Sequence, residues 1–539
     1  MADTPHFRRG LHFVSREAIM VNLTLFPSRR DPSLPATDTC NGAGAPAYAL
    51  PARQALAQFA ATGCLNHCYY SDAEAQLQQV LELCAQLDDG FIARTALYAR
   101  ERAAMKDLPA LLCAVLAARG SPWLAMVFER VIDNGRMLRN FVQILRSGAT
   151  GRRSLGSRPK RLVQQWLNRA SEAALLSACV GTQPSLSDIV RMVHPKPAEA
   201  WRSAWFAWLN GLPYDVAALP PLTARLQALR RGEAGEIPPV PFQLLTHCPL
   251  SAAQWAAIAR QAGWQMLRMN LNTFARHGVF EQPGMLRHIA KRLSDAEAIR
   301  RARVFPYQLL AAARAAQGLP DAVQAALARA LDLALKNVPR LAGRTVVCPD
   351  VSGSMHAPVT GWRPGASSRV RCVDVAALVA AAFVARCPGT RVLPFREAVV
   401  ELELDARAGV LANAERLAAI GPGGTDCSAP LRWLEQRRER VDTLILVSDN
   451  ESWIDARRGA SATLQAWERL RRRHPQARLV CIDLVPNAHT QAPERADILN
   501  VGGFSDAVFE HIAAFSDGRA QHWVEAIDAI VLQADSAAG

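Results

Sequence analysis

A chain of 539 residues is too long for a single hydrophobic core, so two or more domains are expected. Half of its residues are hydrophobic and 20% are charged, which excludes a disordered or low-complexity chain. The formal net charge is +14, unevenly spread: residues 1–343 hold 40 Lys and Arg against 24 Asp and Glu, and residues 344–539 hold 22 against 24. A basic segment of this kind points to a polyanion, most often nucleic acid, although an Arg-rich solvated surface gives the same composition. Twelve cysteines without paired spacing read as reduced thiols, so a cytoplasmic location is expected. Residues 1–10 lack a secretory apolar run and no stretch approaches the length of a membrane span, so no membrane partner is expected.

In chain order, residues 1–50 carry Pro27, Pro32, Pro35, Gly42 and Gly44, and predict an irregular, extended segment. Apolar spacing then predicts helices over 53–62, 73–87, 91–105, 108–119 and 122–135, separated by Gly63, Asp88-Asp89-Gly90 and Gly120-Ser121-Pro122. The series continues over 141–147, 160–178, 187–193, 197–210, 217–230, 251–263, 266–277, 283–293, 295–301, 306–317 and 321–336. Many helices joined by short turns suggest an all-α, HEAT-like solenoid over 51–340, whose curvature would make an extended binding surface. Trp201, Trp205 and Trp208 recur at helical spacing and read as a core stripe rather than a base-stacking platform.

After Pro339 the period changes. Strands are predicted over 345–349, 391–395, 398–404, 441–448 and 477–485, alternating with helices over 370–387, 410–419, 429–440, 460–474 and 506–515. Such alternation predicts that 341–539 is an α/β doubly wound domain with a mostly parallel sheet, where ligands sit beyond the C-terminal strand ends. Three polar loops should meet at that edge: Asp350-Val351-Ser352-Gly353-Ser354, the glycine-rich 421–426 loop carrying Thr425, and Ser448-Asp449-Asn450-Glu451. Asp350, Ser352, Ser354, Thr425 and Asp449 form a hard oxygen set that fits one six-coordinate Mg²⁺ keeping some waters; Ca²⁺ or Mn²⁺ suit the same donors. A capped strand–helix turn without metal is the alternative, since Ser and Asp are common caps.

The order D-x-S-x-S, Gly-Gly-Thr, then Asp after a buried strand resembles the metal-ion-dependent adhesion site of von Willebrand factor A-type domains. That resemblance implies a metal which leaves one position for a partner's carboxylate, a binding device rather than a catalytic one. The helical half followed by this domain resembles the TROVE family of Ro-type proteins. The likeness rests on the 62–70 stretch ending in Tyr69-Tyr70, on 187–197 with its Asp188, Arg191, His194, Lys196 and Pro197, on Val304 to Gln308, and on the three metal-site loops. It implies a helical ring closed by the A-type domain. It further implies small structured Y-like RNAs bound outside, misfolded RNA ends bound in the central hole, and exoribonuclease or RNA-repair partners.

Arg152, Arg153, Arg158, Lys160 and Arg161 form the densest basic cluster, on a Gly/Ser/Pro loop entering a helix, a setting suited to phosphate contacts. A solvated loop is the competing reading. Arg191, His194 and Lys196 follow at another helix end, where His194 reads either as an RNA contact or as a cationic C-terminal residue. The loop 178–185 has no Lys or Arg, which shifts the expected RNA surface toward 152–161. Arg268, Arg276, Arg287, Lys291 and Arg292 are weaker candidates for the ring interior, and 469–473 reads as a solvated helix end. Cys64, His67 and Cys68 lack a fourth donor and do not make a zinc site. No P-loop, dinucleotide fingerprint, H-E-x-x-H or nucleophile elbow is present. The expectation is a non-catalytic RNA-binding protein, a monomer within a ribonucleoprotein. A protein-interaction scaffold using the metal site and a metal-dependent nuclease are the alternatives.

Overall fold

The structure is a computed structural model. It describes residues 34–532 apart from 64, 67, 234–235, 246–247, 303, 305, 336–337, 363–369, 454–458, 504 and 520–522. Residues 1–33 of the predicted extended segment therefore lie outside the described residues, as do Cys64, His67 and Phe305.

Residues 34–50 are not merely extended. They form a small hairpin, β1 (Thr39–Cys40) and β2 (Pro46–Ala49), antiparallel to each other. The helical half then runs as α1 (Ala52–Thr62), α2 (Ala73–Ala85), α3 (Asp89–Glu101), α4 (Asp107–Arg119), α5 (Leu124–Val131), α6 (Gly135–Ser147), α7 (Ser157–Arg169), α8 (Glu172–Ala178) and α9 (Leu186–Val193). It continues as α10 (Ala200–Leu209), α11 (Pro221–Arg230), α12 (Ala252–Gln261), α13 (Trp264–Met269), α14 (Leu271–Arg276), α15 (Met285–Leu293), α16 (Ala296–Ala302), α17 (Pro306–Ala315) and α18 (Asp321–Ala334).

Local chemistry sets these boundaries. Asp72, Asp88 and Asn134 accept helix-start N–H groups at α2, α3 and α6, and Ser185 and Ser251 form reciprocal capping boxes at α9 and α12. The single helix predicted over 160–178 is two, because Ala170 turns extended and the Ser171 side chain restarts the helix by accepting from Ala174. The helix predicted over 217–230 is broken by Pro220-Pro221, which leaves a 3₁₀ turn at Val216–Ala218 before α11. Residues 108–117 of α4 are buried on every side, so this helix is the centre on which α3, α5 and α6 pack. The tryptophan stripe is core at its middle: Trp205 is fully buried and donates to the Thr223 hydroxyl, while Arg202 stacks over Trp201.

The second half contains β3 (Thr345–Pro349), α19 (Cys372–Arg386), β4 (Arg391–Val392), α20 (Val410–Ala418), α21 (Ala429–Arg437), β5 (Thr443–Ser448), α22 (Ala462–Arg473), β6 (Arg478–Asp483), β7 (His489–Thr490), β8 (Ile498–Gly502), α23 (Asp506–Ser516) and α24 (Trp523–Asp528). The sheet is parallel throughout, in the order β4-β3-β5-β6-β8. Alternate strand residues serve two cores. Val347, Ile445 and Val480 face α19 and α20, while Val346, Leu444 and Leu479 face α21 and α22. The strand predicted over 398–404 does not join this sheet. Val399 makes an isolated bridge with Phe395, and Leu402 and Leu404 bury alternately without a ladder.

Both ends of the helical run rest on the A-type half. At the start, β2 pairs with β7, Arg53 makes a two-pronged pair with Asp528, and Gln58 donates to Asp483 at 2.7 Å. At the end, Arg314 of α17 pairs with the buried Asp374 of α19 at 2.9 Å. The helices leave one domain and return to it, a closed circuit. No helix among the described residues is long and apolar enough to cross a membrane.

Candidate functional site

The three polar loops do meet at the C-terminal edge of the sheet. Strands β3 and β5 are neighbours in register, which sets Asp350 beside Ser448: the Asp350 N–H donates to the Val447 carbonyl and Ser448 Oγ donates to Asp350 Oδ2 at 2.5 Å. The loop after α20 reaches in through Gly353 N–H to the Gly423 carbonyl at 2.9 Å, and the Thr425 carbonyl accepts from Trp453. Ser352 Oγ and Ser354 Oγ are 3.4 Å apart, and the Glu451 N–H donates to Asp449 Oδ1 at 3.4 Å. All five expected donors are buried, with Thr425 only 2% exposed.

Their electrostatics is that of crowded acids. Burial pushes the Asp350 carboxyl up to about 6. Burial and then the Asp350 charge push Asp449 well above the usual carboxylate range, and burial followed by Asp449 does the same to Asp483. Glu451 is also buried, with His489 Nε2 3.1 Å from its Oε1. Among the described residues no Lys or Arg offsets Asp350, Asp449 or Asp483. Nor do three His, Cys, Asp or Glu side chains converge as a metal cluster, so an ion at this edge would depend on the hydroxyls. Two acids, three hydroxyls and uncompensated negative charge are a fit for one hard divalent cation.

The eight expected RNA-binding residues separate into four groups. Arg153, Lys160 and Arg191 line one groove of about 790 Å³ between α6, α7 and α9, with Arg146, Ser154 and Ser157 beside them. Arg146 is an addition that the sequence pattern did not single out. The start of α7 forms a wall of this groove; it has no side-chain cap and no acidic residue in its first turn, so its free N–H groups add to the positive field. Asp188 is the one acid on the lining.

Arg152 and Arg158 do something else. Arg152 donates to the Ala117 carbonyl at 3.0 Å, and Arg158 donates to the carbonyls of Gly120, Ser121 and Pro122. The Arg152 guanidinium caps the end of α4, and that of Arg158 ties down the turn that follows it. Arg161 lies on the other side of α7, in a second groove with Trp123 and Trp166. His194 and Lys196 are exposed beyond the end of α9. His194 is the left-handed residue that ends the helix (φ 50°), and Gln164 donates to its carbonyl and to that of Val193. Of the weaker candidates, Arg268 and Arg292 donate to the carbonyls of Gln308 and Ala262, Arg469 pairs with Glu435, and Arg287 and Lys291 line a separate groove.

A closed run of helical hairpins joined to a doubly wound domain with an acid-and-hydroxyl edge defines a helical-repeat ring bearing a von Willebrand factor A-type domain. Residues 251–343 match the TROVE domain model and residues 344–516 match the Ro60 vWA domain model. The chain is therefore similar to TROVE-type proteins over 251–343 and to Ro60-type A domains over 344–516. It is 26% identical over 519 residues to the RNA-binding protein RO60 of Deinococcus radiodurans, covering 89% of this chain and 95% of that one. It is also 26% identical over 246 residues to the RNA-binding protein RO60 of Caenorhabditis elegans, covering 43% of this chain and 37% of that protein. The crystal structure of the Deinococcus radiodurans RO (RSR) protein shares the fold, with a TM-score of 0.60 at 23% identity, covering 87% of this chain and all of that one.

Proposed function

We propose that this chain is a non-catalytic RNA-binding protein of RNA quality control or repair. Its helical half takes small structured, Y-like RNA and the ends of misfolded RNA, and its A-type half holds one divalent metal, Mg²⁺ by preference. The observation that carries the reading is the groove of Arg146, Arg153, Lys160 and Arg191 beside the uncapped start of α7. Four cations and free helix-start N–H groups around one acid suit a phosphate backbone, and they are shaped for position rather than base identity. The relatives named as RNA-binding proteins lend the same direction. An exoribonuclease or an RNA-repair enzyme would be the partner acting on RNA presented in this way.

The test is titration of a small hairpin RNA with a single-stranded tail into the full chain at several salt concentrations. Affinity is expected to fall steeply with salt, and the Arg153→Ala/Lys160→Ala/Arg191→Ala variant to lose roughly tenfold or more, with a salt slope shallower by about one unit per contact removed. A flat salt dependence, or an unchanged slope in the variant, would contradict the assignment. RNA shortened during incubation with Mg²⁺ would contradict its non-catalytic part.

A further inference from the structure

The carboxylate edge of the A-type domain is covered by the other half of the chain. Asn41 Nδ2 donates to the Ser452 carbonyl at 2.8 Å, the Ala43 N–H donates to Glu451 Oε2 at 3.1 Å, and Asn66 Nδ2 donates to the Thr360 carbonyl at 2.9 Å. Gly42 sits where a Cβ would come within 2.9 Å of Glu451 Oε1 and 3.0 Å of Tyr70 Cβ, so the turn, the acid and the tyrosine are in mutual contact. The half-buried Tyr70 has Ser354, Asp449 and Glu451 as the polar neighbours of its phenol. Ser354 and Asp449 belong to the oxygen set that fits a metal. A phenol is neutral and both donates and accepts, so beside crowded carboxylates it can cover the face without adding charge.

We propose that Tyr70 is a further residue of the metal site, and that a divalent ion bound there fastens the helical half to the A-type half across it. Tyr70 stands where a separate partner's carboxylate would otherwise approach, so the site works as an internal clasp. The inference rests on the metal reading above. It adds a residue from the opposite domain, far from the three loops in sequence, and a structural consequence of binding.

The experiment measures Mn²⁺ and Mg²⁺ binding to the full chain by calorimetry, alongside the metal-induced rise in unfolding temperature, for wild type, Asp449→Asn, Tyr70→Phe and Tyr70→Ala. Wild type is expected to bind one ion and to unfold at a higher temperature with it, and Asp449→Asn to do neither. Tyr70→Phe keeps the ring in place and is expected to bind the ion roughly tenfold more weakly, through the loss of the one polar group it presents beside the acids. In Tyr70→Ala, added acetate is expected to restore metal affinity by entering the opened face, and to leave wild type unchanged. Metal affinity in Tyr70→Phe equal to wild type, or acetate acting equally on wild type and Tyr70→Ala, overturns the clasp while leaving the metal reading intact. Failure of wild type itself to bind either ion overturns both.

Discussion

Arg152 and Arg153 are adjacent, equal in charge, and opposite in use. The first is half-buried and satisfies the Ala117 carbonyl; the second is exposed on the basic groove. What a guanidinium donates to is decided by tertiary packing, which no local pattern encodes. The cluster was therefore legible as basic, and its division into helix caps and groove lining was not. Arg152→Ala should remove one of the two donors to the Ala117 carbonyl, leaving the Gly120 N–H, and cost about 0.5–1.5 kcal/mol of stability, while RNA affinity stays near wild type. Arg153→Ala should do the reverse, with unfolding unchanged and RNA binding weakened. Chemical denaturation and RNA titration on both variants separate the roles, and RNA loss without stability loss in Arg152→Ala would contradict the division. The meeting of the three polar loops, by contrast, was readable, because two of them follow directly on the ends of β3 and β5, which parallel pairing brings together, and the third reaches them after α20. Tyr70 was not readable as part of that edge, since its approach depends on how the domains fold onto each other.

At the scale of elements, amphipathic spacing located the helices well because most show one apolar face, and their ends where a capping side chain or a proline is explicit. It joined α7 to α8 and α13 to α14, where the break is only Ala170-Ser171 or Asn270, inside continuous periodicity. It did not find β8, whose Ile-Leu-Asn-Val-Gly carries an Asn and a Gly that depress strand propensity; both residues are nonetheless buried, and Asn500 is held by Thr490 and Ala492. It also read residues 398–404 as a strand from an alternation that is real in burial but lacks a partner ladder. One contact between elements gives a sharp test. Gly135 starts α6 against α8 so closely that a Cβ would lie 2.2 Å from Ala178 Cβ and 2.5 Å from its Cα. Both obstacles are fixed to backbone, so relief needs the two helices to part. Gly135→Ala is expected to lose about 1–3 kcal/mol, seen as a lower urea midpoint with an unchanged slope. An unaltered midpoint would mean that α6 and α8 do not pack this closely.

At the scale of the molecule, the circuit of helices holds only if both of its joints hold. The second joint depends on Asp374, which is fully buried and accepts from Arg314 on the helical half and from Arg371 on its own. Burial alone would push this carboxyl up, but the two guanidiniums more than offset it and hold it below the usual range. A carboxylate whose folded value is depressed contributes stability that is present above its unfolded value, about pH 4, and is lost as pH falls through the folded value. Wild type should therefore weaken at this joint below about pH 4. Asp374→Asn should be less stable at neutral pH by about 1–3 kcal/mol, since it takes the carboxylate from Arg314 and leaves Arg371 with only His356 and the Ala418 carbonyl, and its stability should depend less on pH in the acid range. Urea unfolding between pH 3 and 7 reads both effects, and parallel curves for the two proteins would show that this pair does not secure the joint. Because the first joint rests on different contacts, among them Arg53 with Asp528 and Gln58 with Asp483, cleavage by a dilute protease in Asp374→Asn should begin near α17 and α18 and leave α1 protected.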